Sequence, residues 1–550
     1  MTNQSTSAVG AEKTTVSSTG LFARNATGLV RGISPRSSLI INLIPGHPAQ
    51  SLAAGFFFVF ALFPGGSYLL GLAMVIPLVL AISYAFGLLT QMIPRSGGDY
   101  MLVSRVIHPA LGVVSSFCMT LATLFSNAFF GLAFVTIGLG PGFVGIGLVA
   151  HSQTLINWGT TIQSSTGWKF ALGSLMMCVS ALILASGWRL TLRIQNVLFW
   201  LVTSSVLLSV LVAVFTSQGT FIANFNAFAH PYTHTPDTYH GVIAAAHKAG
   251  INTSPGFSFS NTIPIMGFFA TFSIFSYWST FVGGEVRQAS TMKMANNMAF
   301  AGVIGVCVVA LCAAIFFRTF GSPFMIAANA TGAFPASLPA APTFFFLMGA
   351  SVGNTIFAAF ITFAYVLFWP LICYISFIQP TRMIFAYAFD GILPKAVTKT
   401  TRNGAPYVAT LVSLVVGIAV YLWAVNSSGF LQILVYATLV QLIAMGLVGL
   451  SAMLVPWLKP DLYRASTTVR SVFGIPVVSI AGAGAVAVTV IIWVLYFNYK
   501  AQFGLTNVGR MFAIFGVTIG AAVVYYLVAR AVRRRQGVNV DLAYAEIPPE

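Results

Sequence analysis

The sequence predicts an all-α polytopic membrane protein with twelve transmembrane helices. Only 6% of its 550 residues are charged, and the mean hydropathy is +0.89. Average soluble chains carry about 25% charged residues. The apolar residues fall in blocks of about 20 or more, the length that crosses a hydrocarbon core of about 30 Å.

Taken in order, the spans read as 36–63, 69–93, 109–137, 168–187, 194–216, 263–284, 299–319, 343–376, 408–425, 430–456, 475–498 and 509–530. An even number puts both termini on one side. With the N-terminus inside, 21 of the 26 Lys and Arg residues fall in inner segments, which leaves Lys169, Lys248, Arg318, Lys500 and Arg510 outside. The positive-inside rule therefore predicts cytoplasmic termini. It also accounts for the +17 net charge without nucleic acid. Residues 1–32 are rich in Ser, Thr, Gly and Ala and lack an apolar h-region, so they read as a disordered cytoplasmic tail and the first span as a signal-anchor. Residues 531–550 form a second cytoplasmic tail, and Arg533–Arg535 beside the last span are read first as positive-inside charge.

Several chemistries are excluded. The five cysteines all lie in apolar blocks and form neither a disulfide framework nor a metal site. Five of the seven histidines sit in outer segments without ligand spacing, which reads as solvated loop. The GxGxxG string beginning at Gly140 follows a membrane span rather than a strand, so it reads as a loop, not a dinucleotide fingerprint. There is no GxxxxGK[ST] phosphate loop, and no HExxH or GxSxG motif in a supporting context, so the chain is read as neither an ATP-driven pump nor an enzyme.

Acids are few. Asp99, Glu285 and Asp390 lie near inner membrane boundaries, where pairing with a nearby Arg is the expected role and inner gating the alternative. In "PRSGGDY", Pro94 ends span two, Gly97 and Gly98 turn the chain, and Asp99 caps the next helix while pairing with Arg95 or Arg105. Arg382 and Asp390 are eight residues apart, about two helical turns, and Gly391 and Pro394 stop that helix.

The most informative stretch is "NLIPGHPAQS", residues 42–51, in the middle of the first span. Pro45 and Pro48 remove two backbone donors, and Gly46 admits positive φ. Bilayers tolerate broken helix only where it is buried in protein or lines a watery cavity. The half-helix after Pro48 then aims its N-terminus at the membrane centre, which favours an anion. Such a discontinuous helix predicts the substrate site of a secondary transporter. His47 reads as a neutral side chain satisfying the broken backbone, with proton coupling as the alternative. A partner break belongs in span six, where "TFSIFSYWST" places hydroxyls at mid-depth without any Gly or Pro. In span three, Ser126 and Asn127 either line the same cavity or bond between helices; Asn354 in span eight is similar.

Three stretches, "MIPRSGGDYMLVSRVIHPALG" (92–112), "FSYWSTFVGGEVRQ" (275–288) and "QPTRMIFAYAFDGILPKAVTKTTRNGAPYVA" (379–409), resemble the amino acid–polyamine–organocation superfamily of permeases. With "ISPRSSLIINLIPGHP" as first span, the resemblance covers roughly residues 30–530. It implies a LeuT-type 5+5 inverted repeat, with repeat one at 33–216, an extracellular loop at 217–262, repeat two at 263–456 and two further helices within 457–530. It also implies an amino acid substrate. The carboxylate would meet Ile44, Pro45, Gly46 and His47, and the amine would meet Phe275, Ser276 and Tyr277, with Trp278 as a gate. Two departures stand out. Phe275 takes the place where the family usually has glycine, and span five lacks the lysine of some proton-coupled members.

The expectation is thus a plasma-membrane permease for an amino acid or related small amine-bearing solute. It works by alternating access, without cofactor or metal, and H+ is the expected coupling ion. Exchange, and a transporter-like solute sensor without net flux, are the alternatives; a channel is disfavoured by the lack of a repeated pore motif.

Overall fold

A computed structural model describes residues 29, 31–52, 59, 62–329, 332–467, 469–537, 540 and 544. The first apolar segment enters as helix α1 (Pro35–Leu43), started by the Ser34 hydroxyl accepting the Ser37 N–H and by Pro35 in the first turn. A second helical stretch begins at Pro48; residues 53–58 and 60–61 of the first predicted span lie outside the described residues.

Eleven helices among the described residues are long and apolar enough to cross a membrane. They are joined by α3 (Gly98–Val106), a short helix linking the first two of them. In chain order the rest are α2 (Tyr68–Met92), α4 (Pro109–Val149), α5 (Thr166–Ala185), α6 (Trp188–Phe215), α7 (Phe259–Ser273, whose apolar segment continues to Phe281), α8 (Met292–Phe320), α9 (Thr355–Phe389), α10 (Tyr407–Asn426), α11 (Phe430–Leu458), α12 (Val477–Asn498) and α13 (Val508–Arg535). Their interior faces carry small residues that let backbones approach. A Cβ on Gly87 would stand 2.5 Å from the Ala295 Cα, which is why α2 can lie against α8.

Several expectations are corrected. The third span runs through to Val149 as a 41-residue segment. The string beginning at Gly140 is therefore helix rather than loop, entered through a π-helical stretch, Phe134–Leu139. Gly140 N donates to Val135 O, an i−5 bond that carries the helix past Pro141, which has no N–H of its own. The eighth span is Thr355–Phe389, displaced toward the C-terminus from 343–376. Phe344–Val352 forms its own buried helix, ended by Gly353 at φ 64°, and Asn354 caps the span through Phe357 N rather than sitting inside it. The long polar segments also hold helices, among them Gln153–Ser164, Gln218–Thr233 and Thr238–Lys248.

The antiparallel helices give the bundle two distinct ends. At one, called the basic end here for its Arg and Lys content, Ile33 and Val286 form a parallel bridge, in which Ile33 N donates to Glu285 O and Arg287 N to Ile33 O. At the opposite end, Ser258 N donates to Gly65 O, and the Tyr499 hydroxyl donates to Ser260 O.

Candidate functional site

Both helix breaks exist, and their backbone groups are laid open. Ile44 N still donates to Ile40 O, but Gly46 N has no hydrogen-bond partner among the described residues. Gly46 does not take positive φ, contrary to expectation. Its value is space, because a Cβ there would meet nothing within 4 Å. His47 then caps the second half-helix. Its Nδ1 accepts the Ala49 N–H, so the ring's proton is on Nε2, 3.0 Å from Thr203 Oγ1. Packed between Phe199 and Phe368, the imidazole is spent on the break itself.

The α7 helix ends at Ser273, followed by turns and a short 3₁₀ segment, Trp278–Phe281. Its last backbone bond is Ile274 N to Ala270 O, so the carbonyls of Thr271, Phe272 and Ser273 accept from no backbone N–H among the described residues. No Gly or Pro is needed because side chains take over. Asn42 Oδ1 accepts the Ser279 N–H at 2.8 Å, and Ser276 shares a 2.7 Å hydrogen bond with Ser83. Both breaks lean on α8 at glycines. A Cβ on Gly302 would press on Ser276 Oγ at 2.7 Å, and one on Gly305 would come within 3.1 Å of Gly46 O.

Between the breaks lies a cavity of about 400 Å³. Pro45, Ser126, Phe275 and Trp278 line it, together with Thr123, Thr271, Ser376, Thr438 and Gln441. It reaches Leu62, Leu431 and Gln502–Gly504 at the opposite end of the bundle. Toward the basic end it stops where Trp278 Nε1 donates to Ile375 O at 2.7 Å. The other expected site residues stand elsewhere. Ile44 is buried in the core, Gly46 is not among the residues that line the cavity, His47 faces Thr203, and Ser276 and Tyr277 pack on α2, with Tyr277 stacked on Phe86 at 3.9 Å. Asn127 is fully buried, with no partner for either amide atom among the described residues.

Below the cavity floor, two buried ion pairs close the basic end. Arg382 donates through Nε and Nη2 to the two Glu285 oxygens, both at 3.0 Å, and its guanidinium lies 5.0 Å from the Trp188 ring. Trp188 Nε1 and Ser96 Oγ complete the carboxylate's shell at 2.5 and 3.3 Å. Arg105 Nη2 spans both oxygens of Asp390 at 2.8 and 2.7 Å, and the Tyr100 hydroxyl donates to the same carboxylate at 2.7 Å. The Arg382–Glu285 pair has the two-nitrogen fork that makes such ion pairs strong, whereas Arg105 reaches Asp390 through one nitrogen.

The predicted pairing of Asp99 with Arg105 does not occur, since Arg105 goes to Asp390. Six residues along α3 turn the chain by about 600°, so the two side chains leave on different faces. Asp99 instead accepts from the Ser115 hydroxyl at 2.7 Å, and its Oδ1 has no partner among the described residues. The carboxyl lies between the spanning segments, and burial pushes its pKa up to about 7. Arg95 donates to Pro94 O.

The amino acid permease family profile matches residues 37–529. The chain belongs to that family. It is an amino acid permease of the amino acid–polyamine–organocation superfamily, a multi-pass membrane protein from a transport family rather than an enzymatic one. Among curated proteins, no sequence matches it.

Sequence reasoning missed five contributors to the permease's site. Asn42 and Ser83 are polar residues in apolar helices, a signal that was available. Gly302 and Gly305 stand three apart on one face of α8, the small-residue pattern of close helix contact. Tyr544 carried no signal, being one aromatic in a polar tail. It is buried against Arg105, with its ring 4.8 Å from the guanidinium.

Proposed function

We propose that this permease is a secondary active transporter that moves an amino acid or a related small amine-bearing solute across the plasma membrane by alternating access. One observation carries the reading: two helix breaks meet at a single cavity that is reached from one end of the bundle and closed at the other by buried ion pairs. The Gly46 N–H supports a carboxylate, and the carbonyls of Thr271 to Ser273 support an ammonium. With the basic end cytoplasmic, as the positive-inside rule assigns it, this conformation faces outward. The two breaks would then be equivalent parts of LeuT-type inverted repeats.

A proton gradient is the proposed drive. What supports it is Asp99, a carboxyl with no ion-pair partner among the described residues, whose burial pushes its pKa up to about 7. The test is uptake of pooled radiolabelled amino acids into proteoliposomes, with an inward proton gradient and without it. Accumulation only with the gradient, lost in Gly46→Trp, is the expected result. A Cβ on Gly46 would meet nothing within 4 Å among the described residues, and a melting curve on the variant separates lost transport from lost fold. Counter-exchange without net accumulation would replace the gradient by exchange. No flux from folded protein in either mode would overturn the transport reading.

A further inference from the structure

We infer that the transported amino acid has an uncharged, predominantly apolar side chain, and that Phe275 shapes the pocket that receives it. The inference rests on the proposed transport site and adds what that site selects.

Among the described residues, the lining of the cavity includes no Asp, Glu, Lys, Arg or His. Its polar groups are hydroxyls and amides, such as Thr123, Ser126, Ser376 and Gln441. The nearest ionisable side chain of the first break, His47, is committed to Ala49 N and Thr203 and does not line the cavity. The ion pairs of Glu285 and Asp390 are closed on themselves and fully buried. A lysine or glutamate side chain entering this space would lose water and gain no counter-ion, which disfavours it. The zwitterionic head group is a different matter, because the broken helices meet it with backbone N–H groups and carbonyls.

The rest of the wall is aromatic and aliphatic. Phe129, Phe268, Phe272, Phe275, Trp278 and Phe503 supply rings around a volume of about 400 Å³, which suits a bulky apolar group. Phe275 stands at the break itself, in edge contact with Trp278 at 6.1 Å between ring centroids. A ring at this position puts a wall against the substrate side chain where a glycine would leave a gap. The amides of Gln50, Gln441 and Gln502 on this wall are uncharged, and Gln441 gives one of its N–H groups to Met119 Sδ.

The experiment is a thermal-shift series on the purified full-length permease with leucine, phenylalanine, serine, lysine, glutamate and choline at equal concentration. Binding to the folded state raises Tm in proportion to the logarithm of ligand over Kd. The expected result is a shift with leucine or phenylalanine and an apparent affinity for lysine and glutamate lower by about tenfold or more. Counterflow uptake of the same solutes should follow the same order. Phe275→Asp supplies the missing counter-charge and should raise the response to lysine while lowering that to leucine. Phe275→Ala, which adds no charge, should weaken leucine without admitting lysine. An equal or larger shift with lysine, glutamate or choline overturns the inference and leaves the amino acid permease reading standing. If no amino acid shifts the protein or exchanges across the membrane, both fall together.

Discussion

Asn42, in the first broken helix, accepts the backbone N–H of Ser279, in the second, at 2.8 Å. The two breaks are thereby tied to each other as well as to the surrounding helices. A helix–helix contact made through a peptide group is sensitive to small rotations, since the amide must stay within about 3 Å of its partner. Asn42→Leu keeps the volume but leaves the Ser279 N–H buried and unpaired, at a cost of about 1–3 kcal/mol. The expected outcome is a folded permease with lowered Tm and strongly reduced uptake. Full uptake at normal Tm would remove the tie from the transport cycle.

The Glu285–Arg382 pair should be strongly coupled. Both side chains are buried, and Trp188 Nε1 bonds the same carboxylate. Arg382→Met strands a buried carboxylate, and Glu285→Gln strands a buried guanidinium; each single change is expected to cost about 3–5 kcal/mol. Together they leave no unpaired charge, so the double variant should be more stable than the sum of the two losses predicts. A double-mutant cycle read by thermal melting checks this. Strict additivity would mean that the pair contributes no mutual stabilisation at the basic end.

How much of this was legible beforehand differs between elements for physical reasons. Spans of about 20 apolar residues are imposed by the bilayer, so most helices were found within a few residues. The first break was legible because Pro45 and Pro48 delete donors outright. The second was nearly silent, because Asn42 and Ser83, far away in sequence, supply what Gly or Pro would have supplied locally. The acids near the basic end were picked out as partners for arginine, but the partners themselves were not readable. Arg105 and Asp390 are 285 residues apart, and Arg382 turns to Glu285 rather than down its own helix. Which of Ser126 and Asn127 faces the cavity is likewise a matter of helix rotation, fixed by packing.

Asp99 should make stability depend on pH. With the folded pKa raised to about 7 by burial, the carboxyl is neutral in acid and costs stability when charged. The unfolded group ionises near pH 4. The stability that a neutral Asp99 provides is therefore complete below about pH 4 and is lost as pH rises through about 7. Asp99→Asn, which cannot ionise, should match the parent at pH 4 and melt higher at pH 8, with Ser115 still able to bond the amide oxygen. Parallel melting curves for the two proteins from pH 4 to pH 8 would show that folded Asp99 ionises near the unfolded value and is charged over this range.

Tyr544 should restrain opening of the basic end. Its ring covers the Arg105 guanidinium at 4.8 Å, and its hydroxyl lies 3.0 Å from that of Tyr100, which itself donates to Asp390. Any movement that separates α3 from the end of α9 must break the Arg105–Asp390 ion pair, and Tyr544 must leave with it. A cation–π contact and one hydrogen bond at a mostly buried position together contribute about 1 kcal/mol or more. Their loss shifts a closed–open equilibrium about fivefold toward open. Tyr544→Ala should therefore raise the labelling rate of a cysteine placed at Ser96, behind the gate, by about that factor. Tyr544→Phe keeps the ring and should recover much of the protection. Labelling unchanged in both variants would mean that the tail residue rests on a gate it does not hold. A rise in Tyr544→Phe equal to that in Tyr544→Ala would assign the restraint to the hydroxyl rather than to the ring over Arg105.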